Sequence, residues 1–515
     1  MIMDAIELSL FHSRIQAVCE EMGAVLRRTA LSTNIRDRRD YSCAIFDHAG
    51  HLGAQAAHIP VHLGSMAYAM TAIVGGQDWQ PGSTLILNDP FLGGTHLPDV
   101  TLISPIFLHG RLKAFVANRA HHADIGAAAP GSMPVSTTLD EEGLVIPPTF
   151  IARHGRLLDH RLATICAATA NAADCHGDIT AQMSANLSGG QRLHELMEAM
   201  GERAFDDALD ALNSYGETLA RQTVEGIPDG RYTFTDLLDD DGAGTLDLPI
   251  RVRLDISGDG ATVDFSGTHP QVRGNVNCPL SVTAAAVFYV FRCLMPAATP
   301  ACDGALRPLA ITAPAGTLVN ARRPAAVAAG NVETSTRIVD GVLGALAGAL
   351  PERIPAASHG SMNNLAMGAR GSDAPWDYYE TIGGGMGAGR DGGGLDGVQT
   401  HMTNTLNTPA ETLEMRYPLR VTRYALRRGS GGSGQRRGGD GLVRELMFLQ
   451  EATVTLLTER RRHAPWGLAG GGDGAPGRNL LNAAALPSKT TFVAHPGDRL
   501  AIATPGGGGW GAVEK

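Results

Sequence analysis

The chain lacks most of the features that announce a function at first sight. Its 515 residues contain no run of roughly 18 or more apolar side chains, which argues against a helical membrane span. Basic residues are in deficit, 42 Lys and Arg against 52 Asp and Glu, and the net charge of -10 argues against electrostatic nucleic-acid binding. Cysteine is scarce. The seven, at 19, 43, 166, 175, 278, 293 and 302, are scattered, odd in number and never spaced as CxxC. Reduced thiols in a cytoplasmic protein are therefore expected rather than a disulfide framework or a Cys-rich zinc module. The opening MIMDAIELSLFHSRIQ has early acids and no basic start, so no secretory signal is expected either.

The nucleotide and nucleophile motifs are missing too. There is no GxxxxGK[ST] phosphate loop, no GxSxG elbow and no HExxH. Two stretches, Gly387 to Gly392 and Gly429 to Gly434, formally match GxGxxG. Neither is followed by a helix-period segment, so both read as tight turns. Arg460-Arg461-Arg462 and Arg436-Arg437 read as solvated surface. Aromatics are low at 5%, whereas glycine is plentiful at 64 residues and punctuates ordered-looking segments, which implies many tight turns.

The periodicities predict a mixed α and β (α+β) fold. Length implies two to four domains. Residues 4–31 place Leu8, Phe11, Ile15, Val18, Met22 and Val25 at helical steps, an amphipathic helix. YSCAIFDHAGHL reads as a hairpin, STLILNDP, DVTLISPIFLHGRL and KAFVANRAHHAD as strands, and Leu108-His109-Gly110-Arg111 as a hairpin turn. Residues 174–226 turn helical. Strands over RYTFTDLLDDDG and LPIRVRLDISGDGATVDFSGT follow, then apolar helices at 281–295 and 335–350, and a Gly-rich, strand-rich remainder. The expected organisation is a multidomain chain of several antiparallel or mixed sheets with packed helices. Its parts would be an N-terminal metal-site domain over 1–230, a central α/β domain over 231–375 and a β-rich domain over 376–515.

Metal-capable side chains are densest between 88 and 124, in NDPFLGGTHLPD and ANRAHHADIG. His96 and Asp99 flank Leu97-Pro98, where the proline excludes a helix interior and a short turn would aim both side chains at one point. His121, His122 and Asp124 end a strand, with His122 and Asp124 on one face and His121 on the other. Imidazole and carboxylate together suit Zn, Mn, Fe or Co with an open position for water. Asp40, just before an apolar strand, is a further candidate ligand or general base, or else a partner of Arg38 or Arg39.

NDPFLGGTHLPD, the AHHADIG–PGSMP stretch, GDITAQ, VDFSGT, THMTNTLNTPAETLEMRYPL, GSGGSGQRRGG and TPGGGGWG resemble, in order and over nearly the whole chain, the hydantoinase B/oxoprolinase family. Ala127-Ala128 and ACDG (301–304) depart from its pattern. The resemblance implies the metal-bearing subunit of an ATP-dependent hydrolase of cyclic amides such as hydantoins, 5-oxoproline or lactams. It also implies a hydantoinase A-type partner in a hetero-oligomer that handles ATP, and a divalent metal on His96, Asp99 and His121, with Asp40 as a further ligand. His122 and Asp124 would act in proton transfer or orient the ligands. The alternative it implies is a ketone carboxylase subunit using bicarbonate at the same metal.

Overall fold

A computed structural model of the chain describes residues 4–56, 58–370 and 375–513. The expected first helix is α1 (Ala5–Thr29). Asp4 accepts the backbone N–H groups of Ile6 and Glu7, Glu7 closes the capping box, and Phe11, Ile15, Val18 and Met22 are buried. A short α2 (Thr33–Arg36) leads into the hairpin of β1 (Tyr41–Asp47) and β2 (Leu52–Ala56). The Asp47 carboxylate fixes the hairpin turn by accepting from the N–H groups of Ala49 and His51, both at 2.8 Å. Helix α3 (Pro60–Gly75), opened by a proline in its first turn, has no counterpart in the sequence-based expectations.

Five further strands complete the first sheet: β3 (Thr84–Leu87), β4 (Asp99–Leu108), β5 (Arg111–His121), β6 (Thr149–Arg153) and β7 (Arg156–Leu157). Their order is β2-β1-β5-β4-β3-β6-β7. The β4–β5 turn falls at the expected residues. His109 and Gly110 both have positive φ, 48° and 78°, as a two-residue turn matched to strand twist requires. Alternation along β1 builds two cores. Cys43 and Ile45 pack with α1, while Ala44 and Phe46 pack with Met66 and Met70 of α3.

After α4 (Asp159–Ala167), the helical stretch expected over 174–226 is two helices, α5 (Ala172–Met200) and α6 (Glu202–Glu225), divided at Gly201. The second sheet, in order β11-β10-β9-β8, comprises β8 (Gly230–Asp240), β9 (Leu246–Ser257), β10 (Gly260–Asp264) and β11 (Leu309–Thr312). Helices α7 (Leu280–Leu294) and α8 (Ser335–Ala347) share its core. A single π turn over Gly330–Thr334 leads into α8.

The third sheet pairs β12 (Asn364–Ala369) with β13 (Trp376–Glu380) on one side and β16 (Ala452–Leu457), then β19 (Lys489–Ala494), on the other. Helix α9 (Ala410–Arg416) precedes the fourth sheet, in order β14-β15-β20-β17-β18. That sheet holds β14 (Leu419–Arg427), β15 (Gly441–Phe448), β17 (Arg478–Leu481), β18 (Ala484–Leu486) and β20 (Arg499–Ala503). The architecture is thus the expected mixture of α and β, with several antiparallel or mixed sheets and packed helices.

The Gly-rich loops pack against one another. A Cβ on Gly387 would stand 1.8 Å from the carbonyl oxygen of Ala356, and one on Gly431 would stand 1.9 Å from that of Gly438. Close backbone approach is what both GxGxxG-like stretches do. The Arg460-Arg461-Arg462 run corrects the surface reading. Arg460 is buried between Asp236 (2.8 Å) and Asp340 (2.7 Å), Arg461 bonds Asn363 and Asn479, and only Arg462 is exposed. Carboxylates and amides from distant segments meet these guanidiniums and make their burial tolerable. Among the described residues, no helix is long and apolar enough to cross a membrane.

Candidate metal centre

The turn at Leu97-Pro98 forms as its sequence suggests: the Asp99 N–H donates to the His96 carbonyl at 3.1 Å. The loop carrying His96 is held from below by Asn88. Its amide donates to the carbonyls of Leu97 (2.8 Å) and Leu144 (2.9 Å) and accepts from the Ile146 N–H (2.6 Å). Asp99 opens β4 and His121 closes β5, and the two are register partners across the antiparallel ladder. The His121 N–H donates to the Asp40 carbonyl at 3.0 Å, which fixes Asp40 at the entrance of β1 beside them.

These placements converge on one carboxylate. Asp99 Oδ2 lies 3.2 Å from His96 Nε2, and Asp99 Oδ1 lies 3.2 Å from His121 Nδ1. One ligand atom from each of the three residues falls within 4.8 Å of the others. Thr95 donates its hydroxyl to Asp99 Oδ2 at 2.5 Å, and the Asn331 amide of the π turn reaches the same oxygen at 3.4 Å. His121 stacks on Tyr379, with centroids 4.7 Å apart and planes 10° apart. Arg38, fully buried, stands over the Tyr379 ring and lies 3.7 Å from Asp40 Oδ2.

One functional candidate escaped the sequence reading. His62, in the first turn of α3, puts Nε2 3.2 Å from Asp99 Oδ2 and 4.0 Å from Asp40 Oδ1. The signal available was the His-Ile-Pro-Val-His stretch at 58–62, which has no ligand spacing relative to His96.

Burial works against the charged forms of His96, Asp99 and His121. In His96 the adjacent Asp99 outweighs burial and raises the pKa above the ordinary histidine value, whereas in His121 burial prevails and lowers it. Asp99 is also opposed by burial, but His96 and His62 hold its carboxyl well below the usual range.

The residues fit a divalent cation. His96 Nε2, Asp99 Oδ1 and His121 Nε2 are buried without a well-directed hydrogen bond, the first two touching only a fellow member of the cluster at 3.2 Å, an unusual concentration of under-satisfied polar atoms. They border a void of about 20 Å³ that Asp40 and His62 also line. Two imidazoles and a carboxylate around an ion-sized space supply a mixed nitrogen and oxygen donor set.

His122 and Asp124 are elsewhere. His122 follows the end of β5, and its Nε2 lies 3.0 Å from Gln182 Oε1. Asp124 accepts from the Ser132 hydroxyl (2.8 Å), the N–H groups of Gly126 (2.9 Å) and Ala170 (2.6 Å), and Arg370 (2.8 Å). Both line a separate cavity. The structure therefore brings together His96, Asp99, His121 and Asp40 and leaves His122 and Asp124 outside that group.

A larger cavity of about 540 Å³ adjoins the void and shares Thr403 with it. Apolar side chains such as Tyr289, Val290 and Leu343 line it together with Gln399, His401 and Asn404.

Comparison with known proteins gives a consistent picture. The chain is 39% identical over 543 residues to 5-oxoprolinase 1 of Arabidopsis thaliana, covering 99% of this chain and 42% of that protein. It therefore spans about two fifths of the length of that relative. It is 32% identical to one subunit of a putative D-/L-hydantoinase of Pseudomonas sp. (strain NS671), covering 99% of this chain and 90% of the relative. The crystal structure of the ATP-dependent caprolactamase from Pseudomonas jessenii superposes with a TM-score of 0.92 at 28% identity, covering 99% of this chain and 92% of that one. The sequence profile of hydantoinase B/oxoprolinase matches residues 4–513, and the chain belongs to that family.

Proposed function

We propose that the chain is the metal-bearing, water-adding part of an ATP-dependent cyclic-amide hydrolase of the 5-oxoproline, hydantoin or lactam type. Its ATP-using partner would be a hydantoinase A-type ATPase in a hetero-oligomer. The observation that carries the reading is the buried convergence of His96, Asp99 and His121 on an ion-sized void. The 5-oxoprolinase and caprolactamase relatives support the substrate class, and the hydantoinase relative, itself one subunit of its enzyme, supports a partner.

Cyclic amides are resonance-stabilised and poor electrophiles. Phosphorylation of the carbonyl oxygen by the partner creates an imidate-like carbon with a good leaving group. A divalent cation would be held by His96, Asp99 and His121, with Asp40 as a candidate fourth donor, and would supply a water acidic enough to act near neutral pH. The remaining work falls to the chain's own groups. Asp99, ringed by imidazoles and Thr95, stays ionised. His121 is held flat by Tyr379. Asp40, at the rim of the void and paired with Arg38, accepts the proton lost by water, with His62 Nε2 4.0 Å away as the next acceptor. The void is too small for an amide ring, so the activated ring occupies the cavity behind Thr403, whose walls are mainly apolar.

The test is co-expression with a hydantoinase A-type ATPase from the same organism and assay of ring opening of 5-oxoproline, hydantoin and caprolactam with ATP. Turnover that requires both chains and ATP is expected, with loss of bound metal and activity in His96→Ala and His121→Ala. An active, metal-free variant overturns the reading, as does ATP-free turnover by this chain alone. Incorporation of labelled bicarbonate into product would assign the carboxylase chemistry instead.

A further inference from the structure

The separate cavity, about 270 Å³ in volume, is lined by His122, Asp124, Asp174, Asp178, Trp376 and Asp377, and it is a surplus of acceptors. Arg370 is a counter-charge in contact with it and is already engaged, while Arg36 acts on Asp178 and Arg416 on Asp174 only from beyond ion-pair distance. The Arg370 donors go to Asp124 (2.8 Å), to Asp377 (3.3 and 3.5 Å) and to the Ala127 carbonyl. Asp178 Oδ1 accepts from the N–H groups of Leu31 (2.8 Å) and Ser32 (3.1 Å), and Asp174 Oδ2 accepts from the Asn171 amide (2.7 Å). Among the described residues, Asp178 Oδ2 and Asp174 Oδ1 meet no donor, and no basic side chain forms an ion pair with either aspartate. Burial, with Asp178 adding to it, raises the Asp174 pKa against the more distant attraction of Arg416.

The independent observation is His122, only 1% exposed. Gln182 donates its amide to the Val100 carbonyl (2.9 Å) and to Asn118 Oδ1 (2.8 Å), so its Oε1 is left to accept, and His122 Nε2 is the donor at 3.0 Å. In the neutral ring the lone pair then sits on Nδ1, which is buried and unpartnered. Among the buried lining atoms, His122 Nδ1 is thus an acceptor without a donor and Trp376 Nε1 a donor without an acceptor, beside two aspartate oxygens that receive no protein hydrogen bond.

The chemistry of the missing ligand follows by elimination. An anion meets four carboxylates. A bare metal ion needs converging ligand atoms, and among the described residues only His96, Asp99 and His121 converge that way. An organic cation with several N–H donors fits both the charge and the volume, and the indole of Trp376 adds an aromatic wall suited to it. We propose that this cavity binds a guanidinium or primary ammonium group, held by Asp174, Asp178 and His122 Nδ1. The group belongs either to a free small molecule or to an arginine or lysine of another chain.

Titration of the full chain with methylguanidinium, N-acetylarginine methylamide and neutral N-methylurea, read by tryptophan fluorescence and calorimetry, tests this. Saturable binding of a cationic probe is expected, with the fluorescence change abolished in Trp376→Phe. Binding should weaken tenfold or more in Asp174→Asn, a half-exposed site where the fold is safe, while metal content stays unchanged. Tighter binding of the arginine amide assigns the occupant to a protein side chain, and tighter binding of methylguanidinium assigns a small molecule. Either result sustains the proposal. Equal binding of N-methylurea, undiminished binding by Asp174→Asn, or no binding of either cation at millimolar concentration overturns it.

Discussion

Asp99 and His121 stand opposite each other where β4 begins and β5 ends, and their side chains meet at 3.2 Å across the ladder. Hydrogen bonding between two strands therefore sets the spacing of two candidate ligands, so the pair is formed before any ion arrives. The cost is three buried polar atoms that make no well-directed hydrogen bond.

That cost gives the first prediction. Stripping the metal with a chelator should lower the thermal midpoint, and adding back Mn, Co or Zn should restore it. Saturation at a hundredfold above Kd contributes about 2.7 kcal/mol. In His121→Ala the metal-dependent part of the shift should vanish. Calorimetric scans with and without metal check this, and a variant that still gains the full shift would remove His121 from the ligand set.

His62 gives the second. It contacts the Asp99 oxygen that also faces His96, so it orients that carboxylate rather than completing the three-ligand group. His62→Asn should retain a bound metal with affinity reduced roughly 10- to 100-fold, the usual effect of losing a partner of a ligand. Competition against a chromophoric chelator measures it. An undetectable metal would make His62 a ligand in its own right.

The third concerns Glu142, fully buried, which accepts from the N–H groups of Val327 and Ala328, both at 2.9 Å, and from the Ser136 hydroxyl at 2.7 Å. The segment it holds presents the Ala328 carbonyl to His96 Nδ1 at 3.4 Å. Burial raises the Glu142 pKa to about 7 from its ordinary 4.5, against the pull of these donors. The folded state then binds the proton more tightly than the unfolded one. The contribution of Glu142 is complete below pH 4.5 and is lost as pH rises towards 7, by on the order of 3 kcal/mol. Glu142→Gln keeps an acceptor oxygen and cannot ionise, so its stability should fall less between pH 5 and 7.5. Parallel denaturation at the two pH values reads the difference, and identical pH slopes would contradict it.

Legibility of the site in the sequence followed chain distance. His96 and Asp99 were readable because a proline turn joins them, and His121 because it ends a strand. The same period-2 logic placed His122 on the opposite face, and the structure carries it away to Gln182. Asp40 was visible only as an acid before a strand. Its place beside His121 depends on β1 pairing with β5, a non-local choice. His62 was unreadable for the same reason, since α3 reaches Asp99 only through the packing of the sheet. Local rules also failed at Arg460, whose partners Asp236 and Asp340 come from remote segments. In contrast, α1, the β1–β2 hairpin and the β4–β5 turn are short-range structures, and their patterns sufficed.

The last prediction is about Gly94, two residues before His96. The loop doubles back so tightly that a Cβ there would lie 2.4 Å from the Asn88 carbonyl oxygen and 2.7 Å from that of Asp89. Both neighbours are backbone atoms and cannot rotate away. Gly94 also donates its N–H to the Asp89 carbonyl at 2.8 Å and accepts the Ser281 hydroxyl at 2.7 Å, which ties the loop to α7. Gly94→Ala must push the loop outward, at roughly 1–3 kcal/mol, and His96 moves with it. A lower thermal midpoint together with weakened metal affinity is expected, whereas Gly110→Ala should lower the midpoint alone. A Cβ on Gly110 meets nothing within 4 Å and carries only the strain of a φ of 78°, far from the ligands at the other end of β4 and β5. If Gly94→Ala loses stability but binds metal normally, the rigidity of the loop does not set the position of His96.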